Sequence, residues 1–75
     1  MIESPYIVMR VDGHWTVGFE GRYFGRYENK DDAVLTAVLW AQRARKKGRR
    51  VRVLAEENGR IRTVWSKDPL REKAA

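Results

Sequence analysis

The sequence predicts a two-layer α+β domain, one helix packed on an antiparallel sheet, with elements in the order βββαββ. Three observations carry this. Residues Asn29–Gly48 repeat their small and apolar side chains at helical spacing. The segments on either side alternate with the period of two expected of strands. Asp12-Gly13 and Asn58-Gly59 sit between such segments, where a two-residue hairpin turn needs positive φ at both positions.

Tyr6–Val11 reads as the first strand, with Ile7, Met9 and Val11 on one side and Tyr6, Val8 and Arg10 on the other. The more apolar side is expected to face the core. Trp15–Phe19 follows, Trp15, Val17 and Phe19 sharing a face. Glu20-Gly21 marks a second turn, and Arg22–Tyr27 a third strand in which alternation opposes Phe24 to Tyr23 and Tyr27. Gly18 and Gly25, inside strands, point to bulges or to close approach of another backbone, expected to be the helix.

The helix carries its own punctuation. Asn29 suits the N-cap, with Asp32 three residues on in capping-box spacing. Asp31 and Asp32 complement the positive end of the helix dipole; Arg43, Arg45, Lys46 and Lys47 complement the negative end. Gly48 suits a left-handed C-terminal cap. Ala33, Ala37, Ala41 and Ala44 form a narrow face, flanked by Trp40 on one side and by Val34 and Val38 on the other, which lets the backbone approach a flat partner. Leu35 and Leu39 fall on the opposite side among polar neighbours. They read either as isolated exposed leucines or as a contact stripe for a second copy or a partner, in which case the chain is a homodimeric interaction or adaptor domain.

Arg49–Ala55 and Arg60–Trp65 form the closing hairpin. By alternation, Ile61, Thr63 and Trp65 oppose Arg60, Arg62 and Val64. The expected core is Ile7, Met9, Trp15, Val17, Phe19, Ala33, Ala37, Val38, Trp40, Ala41, Val51, Val53 and Ile61. The pattern does not decide whether this hairpin extends the first sheet. The 75 residues allow one domain, ordered over about 6–66 with a flexible charged tail over 67–75.

Composition narrows the function. There is no cysteine, so no disulfide, thiolate metal site or cysteine nucleophile. No apolar run approaches a membrane span, and the start of the chain lacks the basic-then-apolar pattern of a signal peptide; a cytoplasmic protein without membrane contact is expected. His14, the one histidine, reads as a turn or strand residue. Asp31 and Asp32 point about 100° apart on a helix and read as capping residues rather than as a catalytic pair. Neither a catalytic set, a bound metal nor a cofactor is expected, and the chain reads as non-enzymatic.

The positive signal is charge. The chain carries +6, and nine Lys/Arg lie between Arg43 and Arg62 against Glu56 and Glu57 alone. Arg43, Arg45, Lys46, Lys47, Arg49, Arg50 and Arg52 fill seven of ten positions, and alternation places Arg50, Arg52, Arg60 and Arg62 on one hairpin face. Guanidinium forks bind phosphate oxygens two at a time. Nucleic acid is therefore the leading partner, ahead of a merely solvated basic face and of an acidic protein surface. Tyr6, Tyr23 and Tyr27 read either as a base-stacking platform beside Arg22 and Arg26 or as rim residues of a small core.

Two resemblances accompany this reading. Trp15-x-Val17, then Ala33, Ala37 and Ala41, then Asn58-Gly59-Arg60-Ile61-Arg62 ending near Ser66, resembles a family of small bacterial hairpin-helix-hairpin domains of unknown function, over about Tyr6–Ser66. The resemblance implies the fold and no activity. Gly13-x-Trp15, Phe24-Gly25-Arg26-Tyr27 and Asp31-Asp32-Ala33-x-x-x-Ala37-x-x-x-Ala41 are similar to the three-stranded sheet plus helix of plant-type and integrase-arm DNA-binding domains. That likeness implies a sheet face docked in the major groove, with Arg10, Arg22 and Arg26 as the contacting residues.

Overall fold

The computed structural model describes residues 4–67. The elements run β1 (Tyr6–Val11), β2 (His14–Phe19), β3 (Arg22–Tyr27), α1 (Lys30–Lys46), β4 (Val51–Glu57) and β5 (Arg60–Lys67). All five strands join one sheet in the order β3-β2-β1-β4-β5, so the closing hairpin extends the first sheet. Neighbours are antiparallel except β1 and β4, which run parallel and make the sheet mixed. A parallel pair needs a crossover, and α1 supplies it while covering one face. The flexible tail expected over 67–75 lies outside the described residues apart from Lys67, which ends β5.

Local chemistry sets the boundaries. Asp12 and Gly13, Glu20 and Gly21, and Asn58 and Gly59 all have positive φ, the backbone of a type I′ turn, so three tight turns make the three hairpins. The Asn29 side-chain oxygen accepts the Asp32 backbone N–H at 2.9 Å. The reciprocal half of the capping box is altered: the Asp32 carboxylate accepts from the Asn29 side-chain amide at 3.2 Å. At the other end, the Arg49 N–H donates to the Ala44 carbonyl and the Gly48 N–H to the Arg45 carbonyl. With Gly48 at φ +89°, this is a Schellman motif.

The core is built from small side chains. Ala33, Ala37 and Ala41 lie on Val8, Val17, Val51, Val53 and Ala55, all at most 4% exposed. Tyr6, Trp15, Tyr27, Val38, Trp40 and Trp65 close the margins. The expected orientation of β1 is inverted. Val8 faces the helix, and Ile7 and Met9 lie on the open face of the sheet. Both sides of β1 are apolar, so alternation alone could not choose. The choice comes from register, which sets Val8 opposite Val17 on one flank and Ala55 on the other. Ile61, also expected in the core, is 51% exposed on the edge strand β5, opposite Glu56.

Two bulges change the strand parities. Between Trp15 and Val17, β3 gains a residue around Gly25, whose φ is +82°. The single Thr16 hydroxyl proton is shared between the carbonyls of Gly25, at 2.8 Å, and Phe24, at 3.1 Å, and the shift brings Phe24 and Tyr27 to the same side. In β5, Trp65 opposes Val53 and Thr63 opposes Leu54, leaving Val64 as the extra residue. Trp65 therefore shares its face with Arg60 and Arg62 rather than with Ile61 and Thr63. Gly18 is approached not by the helix but by Met9 and Tyr23.

A close alanine seam predicts intolerance of bulk. Ala37→Leu should cost about 1–3 kcal/mol of unfolding free energy in urea titration. Leu35→Ala, on the outer helix face, should stay within about 0.5 kcal/mol. Equal effects would reject the seam.

Candidate functional site

The strand directions sort the charges. The start of β1, the end of β2, the start of β3, the end of α1, the start of β4 and the end of β5 all lie at one end of the sheet. That end carries Arg22, Arg43, Arg45, Lys46, Lys47, Arg49, Arg50, Arg52 and Lys67, with Glu20 as its single carboxylate among the described residues. The other end mixes Arg10, Arg26, Lys30, Arg60 and Arg62 with Asp12, Glu28, Asp31, Asp32, Glu56 and Glu57. Among the described residues the whole excess of positive charge is thus gathered at one end, where like charges sum to a field that attracts polyanions.

Seven of the nine expected binding residues share this basic end: Arg43, Arg45, Lys46, Lys47, Arg49, Arg50 and Arg52. Arg60 and Arg62 do not join them. They lie at the far end of the hairpin, beside the Asn58-Gly59 turn. The single four-arginine face does not form. Arg52 opposes Ser66 on the open side of the sheet, whereas Arg60 and Arg62 oppose Glu57 and Ala55 on the helix side. Arg62 is also engaged: its Nη1 lies 2.9 Å from Glu57 Oε1, and Lys30 Nζ lies 3.3 Å from Glu57 Oε2. This triad ties the start of the helix to the last hairpin.

The sheet-face set of Arg10, Arg22 and Arg26 is likewise dispersed. Arg10 pairs with Trp15 and Arg22 with Phe19, at opposite ends of the sheet and on the helix side. The tyrosine platform does not assemble either. Tyr23 stands on the open face beside Gly18, and Tyr27 packs against the core.

A different aromatic group forms instead. Tyr6, Phe19, Phe24 and Trp40 line an open hollow of about 270 Å³ on the helix side of the basic end. The Tyr6 and Phe19 rings stack with centroids 4.4 Å apart. Phe24 meets Trp40 edge-on at 5.9 Å, and Tyr6 lies 6.4 Å from Trp40. Burial pushes the Tyr6 phenol above its usual pKa, against the opposing pull of Arg49, while Glu20 raises it further. These residues come from four different elements. Their one sequence signal is that Phe19 and Phe24 flank the short Glu20-Gly21 turn.

Leu35 and Leu39 are 60% and 50% exposed on the outer face of α1. His14 begins β2 beside the first turn, its Nδ1 buried without a hydrogen-bond partner. Among the described residues no cluster of His, Asp or Glu could hold a metal, and no helix is long and apolar enough to cross a membrane. No protein-family model, curated protein or solved structure matches the chain.

The Glu57 carboxyl is held below its ordinary value of 4.5, first by the hydrogen bond from Arg62 and then by that from Lys30. A depressed carboxylate stabilises the fold fully above its unfolded pKa and loses that contribution as pH falls through the folded one. Glu57→Gln should therefore lower the Tm at neutral pH, with the gap to the wild type closing as pH drops below 4.5. Thermal melts across that range check it; a gap that persists in acid would show the triad is not responsible.

Proposed function

We propose that this chain is a small non-enzymatic module that binds nucleic acid through its basic end. The phosphate backbone is the target, and little sequence preference is expected. The observation that carries the reading is the gathering of Arg22, Arg43, Arg45, Lys46, Lys47, Arg49, Arg50, Arg52 and Lys67 against Glu20 alone among the described residues. Arginine forks take phosphate oxygens in pairs, and lysines act as point charges. Each phosphate neutralised releases condensed counterions, so affinity falls steeply with salt. Arg60 and Arg62 are left out of the surface, because Glu57 and the mixed charge around them offset their field.

A second reading rests on the outer helix face. Leu35 and Leu39 form an i, i+4 apolar pair in solvent, and a second copy could bury them. The two readings are compatible, since that face and the basic end use different residues. Sedimentation of the wild type against Leu35→Glu decides it: a dimer that the substitution dissociates supports the pairing, and identical monomers reject it.

Binding is tested by fluorescence anisotropy with labelled oligonucleotides over a range of salt. Lys47→Glu combined with Arg52→Glu should weaken binding by about tenfold or more. It should also flatten the salt slope by about 0.7–0.9 for each phosphate that is no longer neutralised. Arg60→Glu, at the opposite end, should leave both nearly unchanged. Equal losses from the two ends, or no binding by the wild type at low salt, would overturn the reading.

A further inference from the structure

We infer that the Tyr6–Phe19–Phe24–Trp40 hollow receives an unpaired base, so that the basic end selects single-stranded over duplex nucleic acid. This rests on the polyanion reading and adds the class of substrate to it. The first support is placement. The hollow opens at the end of the sheet where the cations gather, not at the mixed end. Cationic positions flank its lining residues. Arg22 lies opposite Phe19 across the β2–β3 pair, and Arg43 follows Trp40 by one helical turn. Arg49 is near enough to act on the Tyr6 phenol.

The second support is the lining. Elsewhere the aromatic residues Trp15, Tyr27 and Trp65 pack onto the core, whereas here four rings line an open hollow and Phe24 is left 38% exposed. A ligand for such a site needs a flat apolar part for the rings and negative charge for the flanking cations. A nucleotide within a strand has both. Every base presents a π-face, so aromatic side chains accept bases with little regard to sequence. A duplex keeps those faces stacked inside and can offer the site only phosphates.

The test compares ligands that differ in bases but not in backbone. The full chain is titrated with a labelled single strand of roughly twelve nucleotides, with a duplex of the same length and with an abasic sugar–phosphate strand. The intact strand should bind about tenfold more tightly than the abasic one and also more tightly than the duplex. Phe24→Leu keeps apolar bulk and removes the ring. It should erase most of that difference while leaving the abasic strand's affinity unchanged. Trp40 gives a readout in the unaltered protein: the intact strand should quench tryptophan emission more than the abasic strand, and Trp40→Phe should remove the excess. Equal affinities for intact and abasic strands overturn the base pocket but leave the basic end as a phosphate site. Tighter duplex binding overturns it in favour of backbone docking. Failure of every polyanion to bind overturns both readings. If Phe24→Leu does not fold, quenching decides, and no excess quench by the intact strand overturns the pocket.

Discussion

The close approach of an alanine seam to a valine floor is the constraint on which this molecule depends. Ala33, Ala37 and Ala41 leave no side chain to hold the helix off the sheet, and Val8, Val17 and Val53 meet them from below without exposure. Interiors pack at crystal-like density, so a domain this small gains its stability from fit rather than from a large buried volume. Bulky residues are displaced to the margins, where Tyr6, Trp15, Trp40 and Trp65 fill the wedge between helix and sheet. The aromatic hollow is a product of that geometry: it lies where the wedge opens at the end of α1.

The same helix determines the charge pattern. As the crossover between β3 and β4, it must run the length of the sheet and deliver its C-terminus to the start of β4, next to the start of β1. Helix dipoles favour cations there, and the run from Arg43 to Arg52 straddles the Schellman turn that joins the two elements. Helix end, strand start and the returning end of β5 thus place their basic residues together. The acidic first turn of α1 falls at the other end, beside Glu56 and Glu57. The segregation is a consequence of topology acting on a short basic segment.

What could be read from the residues alone follows the range of the interaction. Caps, type I′ turns and the alanine seam are decided within a few positions, and the residues at Asn29, Gly48 and Asn58-Gly59 declare them. The basic run is local too, so seven of its members fall together as expected. Errors enter where partners decide. Either face of β1 could have been the core, and only pairing with β2 and β4 selects Val8 over Ile7 and Met9. The β5 bulge at Val64 has no glycine to signal it, and it moves Arg60 and Arg62 away from the face of Arg52. The aromatic hollow requires the strand order itself, because Tyr6 and Trp40 become neighbours only once β1 and α1 are placed.

The two bulges have a further consequence. Each lies in a pair that involves an outermost strand, β3 at one side of the sheet and β5 at the other. An outer strand offers unpaired backbone donors and acceptors, a template for another chain to add to. An extra residue interrupts the regular spacing such addition requires, and Arg22 on one rim and Lys67 on the other add like charge against an approaching copy. Both borders of the sheet thus carry features that oppose the addition of a further strand.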